Sequence, residues 1–264
     1  PARDFLVAPY NDGDLTVSYP AFGPNTHSNN VSEMQKQYFH SEEVISFRPA
    51  ITSESISISK YGFGSKGEVD AKRDIFDPRW FQAGRIVRWK DGFYTNTDVT
   101  DKDILKEMLK GAREVNGIFL INDKIGFAPY DSFEQKVYTD IDEFAESGLA
   151  RALEHTEEKT ASNLREIASP ENYLRGVNVL GFDGVKEPVL RVVSLDSYGG
   201  VGRDRLGVYG DNLDDDSGFA FGVRQWLPKA QKFFLQKIFK VWLISILVKW
   251  ILTTIYFIWN LTSC

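Results

Sequence analysis

The sequence predicts a mixed α+β domain, preceded by an irregular N-terminal arm and followed by an apolar helical tail. Three observations lead there. Between residues 71 and 225, short β-type runs bounded by Asn, Asp and Gly outnumber the few stretches with helical periodicity. Residues 10–38 are dominated by Asn, Gly, Ser and Pro, the composition of turns and loops. From Trp226 onward Asp, Glu, Gly and Arg vanish, and apolar residues take over. The organisation expected is therefore an arm over 1–70, a compact domain over 71–225, and a tail over 226–264.

Composition bounds what this domain does. A chain of 264 residues can bury an adequate core without covalent staples. Its one cysteine, Cys264, leaves no intrachain disulfide, Cys-based zinc site or redox pair. The net charge is −6, and five lysines but no acid follow Arg224, so the body is more acidic still and nucleic acid is not expected as its partner.

In the arm, no secretory leader is read in the opening residues. Residues 15–19 and 44–48 read as strands. So does the alternating 55–60, Ser-Ile-Ser-Ile-Ser-Lys, with Ile56 and Ile58 inward. His27 and His40 are expected on the solvated surface. Residues 61–67 are Gly-rich but lack the spacing of a phosphate loop, so a flexible turn is expected.

The domain proper opens with a hairpin, 84–89 and 93–97, across Lys90-Asp91-Gly92. Thr100-Asp101 caps a helix expected over 102–115, with Ile104, Leu105, Met108 and Leu109 as its apolar stripe and Asn116-Gly117 as its stop. A second hairpin joins 118–121 to 124–128. Residues 131–168 carry Phe133, Val137, Ile141, Phe144, Leu149, Leu153 and Leu164 at helical spacings, which predicts two helices broken near Gly148 or His155. The charged run 154–159 holds His155 between acids, but no Ser or Cys nucleophile motif accompanies it, so a solvated helix face is the expectation.

Residues 187–224 organise the functional argument. Apolar runs 189–195 and 219–223 frame a stretch, 196–217, in which 16 of 22 residues are Asp, Gly, Ser, Tyr or Asn. Leu206 and Val208 share one strand face, leaving Gly207 and Tyr209 on the other. Tyr among small polar residues is the palette of a paratope, combining a rigid amphipathic contact with adaptable hydrogen bonding. The candidate ligand-binding residues are Asp196, Ser197, Tyr198, Asp204, Tyr209, Asp211, Asn212, Asp214, Asp215 and Ser217, with Tyr198 and Tyr209 as aromatic anchors. No catalytic or cofactor-binding residue is expected. Asn212, Asp214 and Asp216 match a calcium loop only in part, because Val223 stands where a bidentate carboxylate is needed.

The order Val189-Leu190-Arg191, Ser194, an Asp/Gly/Asn-rich run with two spaced Arg residues, then Ser217-Gly218-Phe219 and Val223-Arg224 resembles the variable region of variable proteins of diversity-generating retroelements. Where that family has Gly-Gly-Ser-Trp this chain has Val192-Val193-Ser194-Leu195, and the Arg of its Gly-Phe-Arg end is delayed to Arg224. The resemblance implies a C-type-lectin-like fold, related to that of the formylglycine-generating enzyme, and surface codons diversified by adenine-directed mutagenesis. It implies a non-enzymatic, receptor-type binding protein whose partner is a protein or cell-surface ligand. The oxidase chemistry of the related enzymes needs cysteines this domain lacks. The alternatives are such an enzyme without its cysteines, or a membrane-anchored structural protein.

That second alternative rests on the tail. Residues 241–259 are nearly long enough to span a bilayer, with Trp242, Tyr256 and Trp259 placed for its interfaces, against the cost of Lys249 in the middle. Three readings stand: a membrane anchor, a helix packed on the domain or lying in the interface, and a readthrough tail.

Overall fold

The computed structural model describes residues 4–11, 13–36, 38–40, 43–64, 80–198, 204–213 and 217–225. By compactness the chain divides into Pro1–Arg224 and Gln225–Cys264, and all of the second unit except Gln225 lies outside the described residues. The expectations for the tail, including a membrane span over 241–259, fall there. Among the described residues no helix is long and apolar enough to cross a membrane.

The fold is α+β. Strands β1 (Asp4–Tyr10) and β2 (Gly13–Tyr19) form a hairpin turned at Asn11, whose φ of 49° suits the left-handed tolerance of Asn. Next come β3 (Phe22–Asn25), α1 (His27–Met34), β4 (Tyr38–His40) and β5 (Glu43–Pro49). The stretch expected to be an irregular arm is thus built into the body of the protein. His27 opens α1 and is buried, not solvated as its polar surroundings suggest.

Residues 55–60 are helical, which corrects the strand expected there. They belong to α2 (Thr52–Gly64), which also takes in Tyr61–Gly64 of the Gly-rich stretch expected to be a turn; residues 65–67 lie outside the described set. This helix packs against β1, β6 (Trp80–Arg88) and two later helices. Thr52, Ser53, Glu54, Ser55, Ile56, Ile58 and Ser59 are all buried. A helix enclosed on nearly every side shows no 3.6-residue polarity pattern, so the Ser/Ile alternation misled. Its serines are small enough for close packing, and Ser59 Oγ donates inward to Ser55 O at 2.7 Å. Glu54 closes the start, accepting from Ile51 N at 2.9 Å while paired with Arg48 at 2.6 Å.

Strand β7 (Gly92–Thr95) pairs with β6 as the Asp-Gly turn requires. Helix α3 (Lys102–Lys110) starts at Asp101, whose carboxylate accepts from Asp103 N and Ile104 N at 2.9 Å. It ends at Gly111, short of the expected Val115. Only Leu105 of its stripe is buried, and Ile104 is 52 % exposed. Residues 113–115 form β8 (Arg113–Val115), and Asn116-Gly117, φ 50° and 80°, turn it into β9 (Ile118–Leu120). An Asn-Gly pair with both φ positive is a hairpin turn, not a helix stop. Strand β10 (Gly126–Pro129) follows. Where the spacing predicts two helices with one break near Gly148 or His155 in 131–168, the chain breaks at both places and α-helix begins only at Ile141, giving three short helices: α4 (Ile141–Ala145), α5 (Gly148–Glu154) and α6 (Ser162–Ile167).

The chain then runs through β11 (Val177–Leu180), β12 (Val189–Tyr198), β13 (Arg205–Asn212), β14 (Gly218–Ala220) and β15 (Gly222–Gln225). One sheet has the order β1-β2-β15-β5-β4. The other runs β11-β13-β12-β6-β7-β10-β9-β8, with β14 beside β6 and β3. The main core joins them, since Ala8, Val17, Ile56 and Phe221 belong to the same apolar cluster as Phe81, Leu195, Leu206 and Val208.

Candidate functional site

Strands β12 and β13 pair antiparallel in the middle of the larger sheet, Leu195 opposite Val208 and Asp196 opposite Gly207. Leu195, Leu206 and Val208 have no exposed surface. Alternation then places Asp196, Gly207, Tyr209 and Asp211 on the other face. Ser194, two residues before Asp196, shares that face opposite Gln82, and the register with β6 shifts between Val193 and Ser194, where Ala83 is passed over.

The outer face is organised around Gly207. A Cβ there would come within 2.9 Å of Tyr209 Oη and closer still to Asp196 Oδ1, so its absence makes room for both side chains to lean over the strand. The Tyr209 ring lies flat against the Trp80 indole, centroids 5.6 Å apart and planes 7° from parallel. Trp80 is 39 % exposed and Tyr209 only 9 %. Asn178, across the parallel β11–β13 pairing from Gly207, is wholly buried and donates through Nδ2 to Tyr209 Oη at 3.2 Å.

Two oxygens in this cluster are buried without a hydrogen-bond partner, Asp196 Oδ1 and Asn178 Oδ1. Burial pushes the Asp196 carboxyl up to about 6. An unpaired buried acceptor is costly, and a donor brought by a ligand would relieve that cost.

The neighbouring strand is pinned by a buried amide network. Asn30 Nδ2 donates at 2.9 Å to both Gln82 Oε1 and Gly218 O, and Gln82 Nε2 donates to Asn25 O at 3.1 Å. This holds Gly218 opposite Trp80 in the β14–β6 pairing and leaves Ser217 exposed beside it.

The candidate residues divide accordingly. Asp211 and Ser217 are exposed, and Asp196 is half-buried on the outer face. Tyr209 shares that face but is stacked beneath it, so it is a support and not an exposed anchor. Asn212 is buried, its amide donating to Ser194 Oγ. Ser197 is paired with Leu206, on the opposite side from Asp196, and its Oγ hydrogen-bonds Tyr173 Oη at 3.0 Å. Asp204 is occupied by Arg175 at 3.3 Å and Arg205 at 3.5 Å. The Tyr198 side chain, Asp214, Asp215 and Asp216 lie outside the described residues, and with them most of the partial calcium loop. Among the described residues no His, Cys, Asp and Glu are grouped closely enough to hold a metal ion. Sequence reasoning missed Trp80, Gln82, Asn30 and Asn178; only Asn178, a polar residue inside Val-Asn-Val-Leu, carried a signal.

The run 154–159 is not the solvated helix face expected of it. Helix α5 ends at Glu154, and His155 takes a left-handed φ of 55°. The Glu154 carboxylate turns in to accept from Leu164 N, capping α6, whose own N-cap Ala161 has no side-chain acceptor. Burial raises that carboxyl to about 7.

No protein-family model, curated protein or solved structure matches this chain.

Proposed function

We propose that this is a non-enzymatic, receptor-type binding protein, and that the face around Trp80, Asp196, Asp211 and Ser217 is its ligand surface. The observation that carries the reading is the Trp80–Tyr209 stack over Gly207, flanked by two buried acceptors with no internal donor. A half-exposed indole on a rigid support supplies contact area at little entropic cost, and unpaired acceptors favour a partner that brings N–H or O–H groups.

The wider reading is that 187–224 is a variable region of a diversity-generating retroelement, displayed on a C-type-lectin-like scaffold. Its support is the contrast along β13, where Leu206 and Val208 are buried in the core and Asp211 lies open on the other face. Residues free of packing can vary without cost to the fold.

The test is a displayed library randomised at Asp196, Asp211 and Ser217. The reading expects most members to fold and selection against different protein baits to return different sequences. A library in which most members fail to fold, or which never yields bait-specific binders, would refute it. A reverse transcriptase gene beside an adenine-rich near-copy of codons 187–224 would establish the diversification.

A further inference from the structure

We propose that the outer face around Trp80 recognises a guanidinium group, presented as an arginine side chain by a polypeptide partner. The inference rests on reading this face as the ligand surface, and adds the chemistry of what it holds. One step beyond the Leu195–Phe81 pair of β12 and β6, Asp196 and Trp80 come side by side, both on the face turned away from the core. Tyr209 covers one face of the indole, so the 39 % of Trp80 that is exposed lies on its other face and along its edges. The Asn178 amide and the room over Gly207 hold the Tyr209 ring in that position.

Asp196 is the polar half of the site. Its carboxylate has no hydrogen bond or ion pair among the described residues; Oδ1 is enclosed, Oδ2 is not, and the residue is half-buried. Burial alone pushes the carboxyl up to about 6, with no charged neighbour to offset it. Asp211, exposed further along β13, also has no ion pair among the described residues. Arg205 shares this face by alternation but is committed elsewhere, donating to Val137 O at 2.8 Å and lying 3.5 Å from Asp204.

A carboxylate alone would suit any cation, and an indole alone any flat apolar group. At adjacent positions they select a cation that is flat. A guanidinium stacks on the open indole face while its N–H groups, which lie in its own plane, donate to the neighbouring Asp196. An ammonium carries the same charge without the plane, and it is more tightly hydrated.

The test is a titration of the full chain with acetyl-Gly-Arg-Gly-amide, followed by the NMR signal of the Trp80 indole N–H, which is identified by its loss in Trp80→Phe. Saturable shifts of that signal are expected. The citrulline peptide, flat but neutral, should bind about tenfold more weakly, the scale of one charge-assisted hydrogen bond, and the lysine peptide several-fold more weakly. Because the carboxyl must be ionised, arginine binding should strengthen about tenfold as the pH rises from about 5 to about 7.5. Asp196→Asn should weaken binding about tenfold at the upper pH and abolish the pH dependence, without lowering the melting temperature, since it removes an unpaired charge. Glu107→Gln, on the exposed face of α3, should leave binding unchanged. An arginine peptide that does not saturate, equal binding of the citrulline or lysine peptide, or an Asp196→Asn protein that binds as the parent does would overturn the guanidinium site. In each of those cases, bait-specific binders from the library randomised at Asp196, Asp211 and Ser217 would leave the ligand surface itself standing.

Discussion

Trp80 and Tyr209 lie face to face, from strands separated by β12, and the indole is the far more exposed of the two. The two rings play different parts, since Trp80 offers the contact area and Tyr209 holds it flat. Trp80→Ala should therefore lower affinity for a ligand selected on the parent by about 2 kcal/mol or more, with little change in melting temperature. Tyr209→Phe should act the other way. It strips the Asn178 amide of its acceptor and should cost about 1 to 3 kcal/mol of stability by urea denaturation. A Trp80→Ala protein that melts early yet binds normally would make the indole a core residue.

Gly207→Ala tests the crowding above the strand. The added methyl meets the Asp196 carboxylate and the Tyr209 ring together, and overpacking of this kind typically costs about 1 to 3 kcal/mol. Equal stability of the variant and parent in urea would show that the outer face has room to spare.

The Glu154 carboxyl links stability to pH. Its value is raised from 4.5 to about 7 in the folded protein, so over that window the folded state keeps a proton that the unfolded state has lost. Stability contributed by this group is full below pH 4.5 and is lost as pH rises to about 7. Glu154→Gln keeps an acceptor for Leu164 N and removes the titration. The variant should gain on the parent by about 1 to 3 kcal/mol as pH rises from about 4.5 to about 7.5. Parallel denaturation profiles over that range would contradict the assignment.

The sequence pattern marks Phe219 and Phe221 as equal core residues, but they are not equal. Phe221 is 2 % exposed and packs edge-on against Phe81 at 5.1 Å, whereas Phe219 is half-buried. Phe221→Ala should cost about 3 to 5 kcal/mol, and Phe219→Ala distinctly less. Reversed losses in denaturant titrations would mean that Phe219 in β14, and not Phe221 between β14 and β15, carries the core.

What could be read from the sequence was local. The Asp-Gly turn, the Asp101 cap, and the alternation that buries Leu206 and Val208 each depend on neighbours a few residues away. What could not be read depended on distant surroundings. The helix α2 resembles a strand because its serines are enclosed by other elements, and nothing in Ser-Ile-Ser-Ile-Ser announces that enclosure. Asn116-Gly117 follows a helical pattern closely enough to pass for its end, while in fact turning a hairpin. At the candidate site the contrast is the same. Gly207 and Tyr209 are conspicuous by composition, but Trp80 becomes their partner only through the pairing of β12 with β6, and Glu154 is turned inward only because α6 lacks a cap of its own.

Strand β2 pairs with β15, Val17 opposite Val223, so the smaller sheet joins the earliest and latest described strands. On a ribosome, the N-terminal hairpin emerges long before its partner exists. Until β15 follows, its edge stays unpaired and Val17 lacks its cross-strand partner. Contacts of such high sequence separation slow folding, because a long loop must close before they contribute. Completion of this sheet therefore waits on synthesis of the segment that follows the proposed variable face, and a nascent chain arrested before Gly222 presents an open β-edge to the chaperones around it.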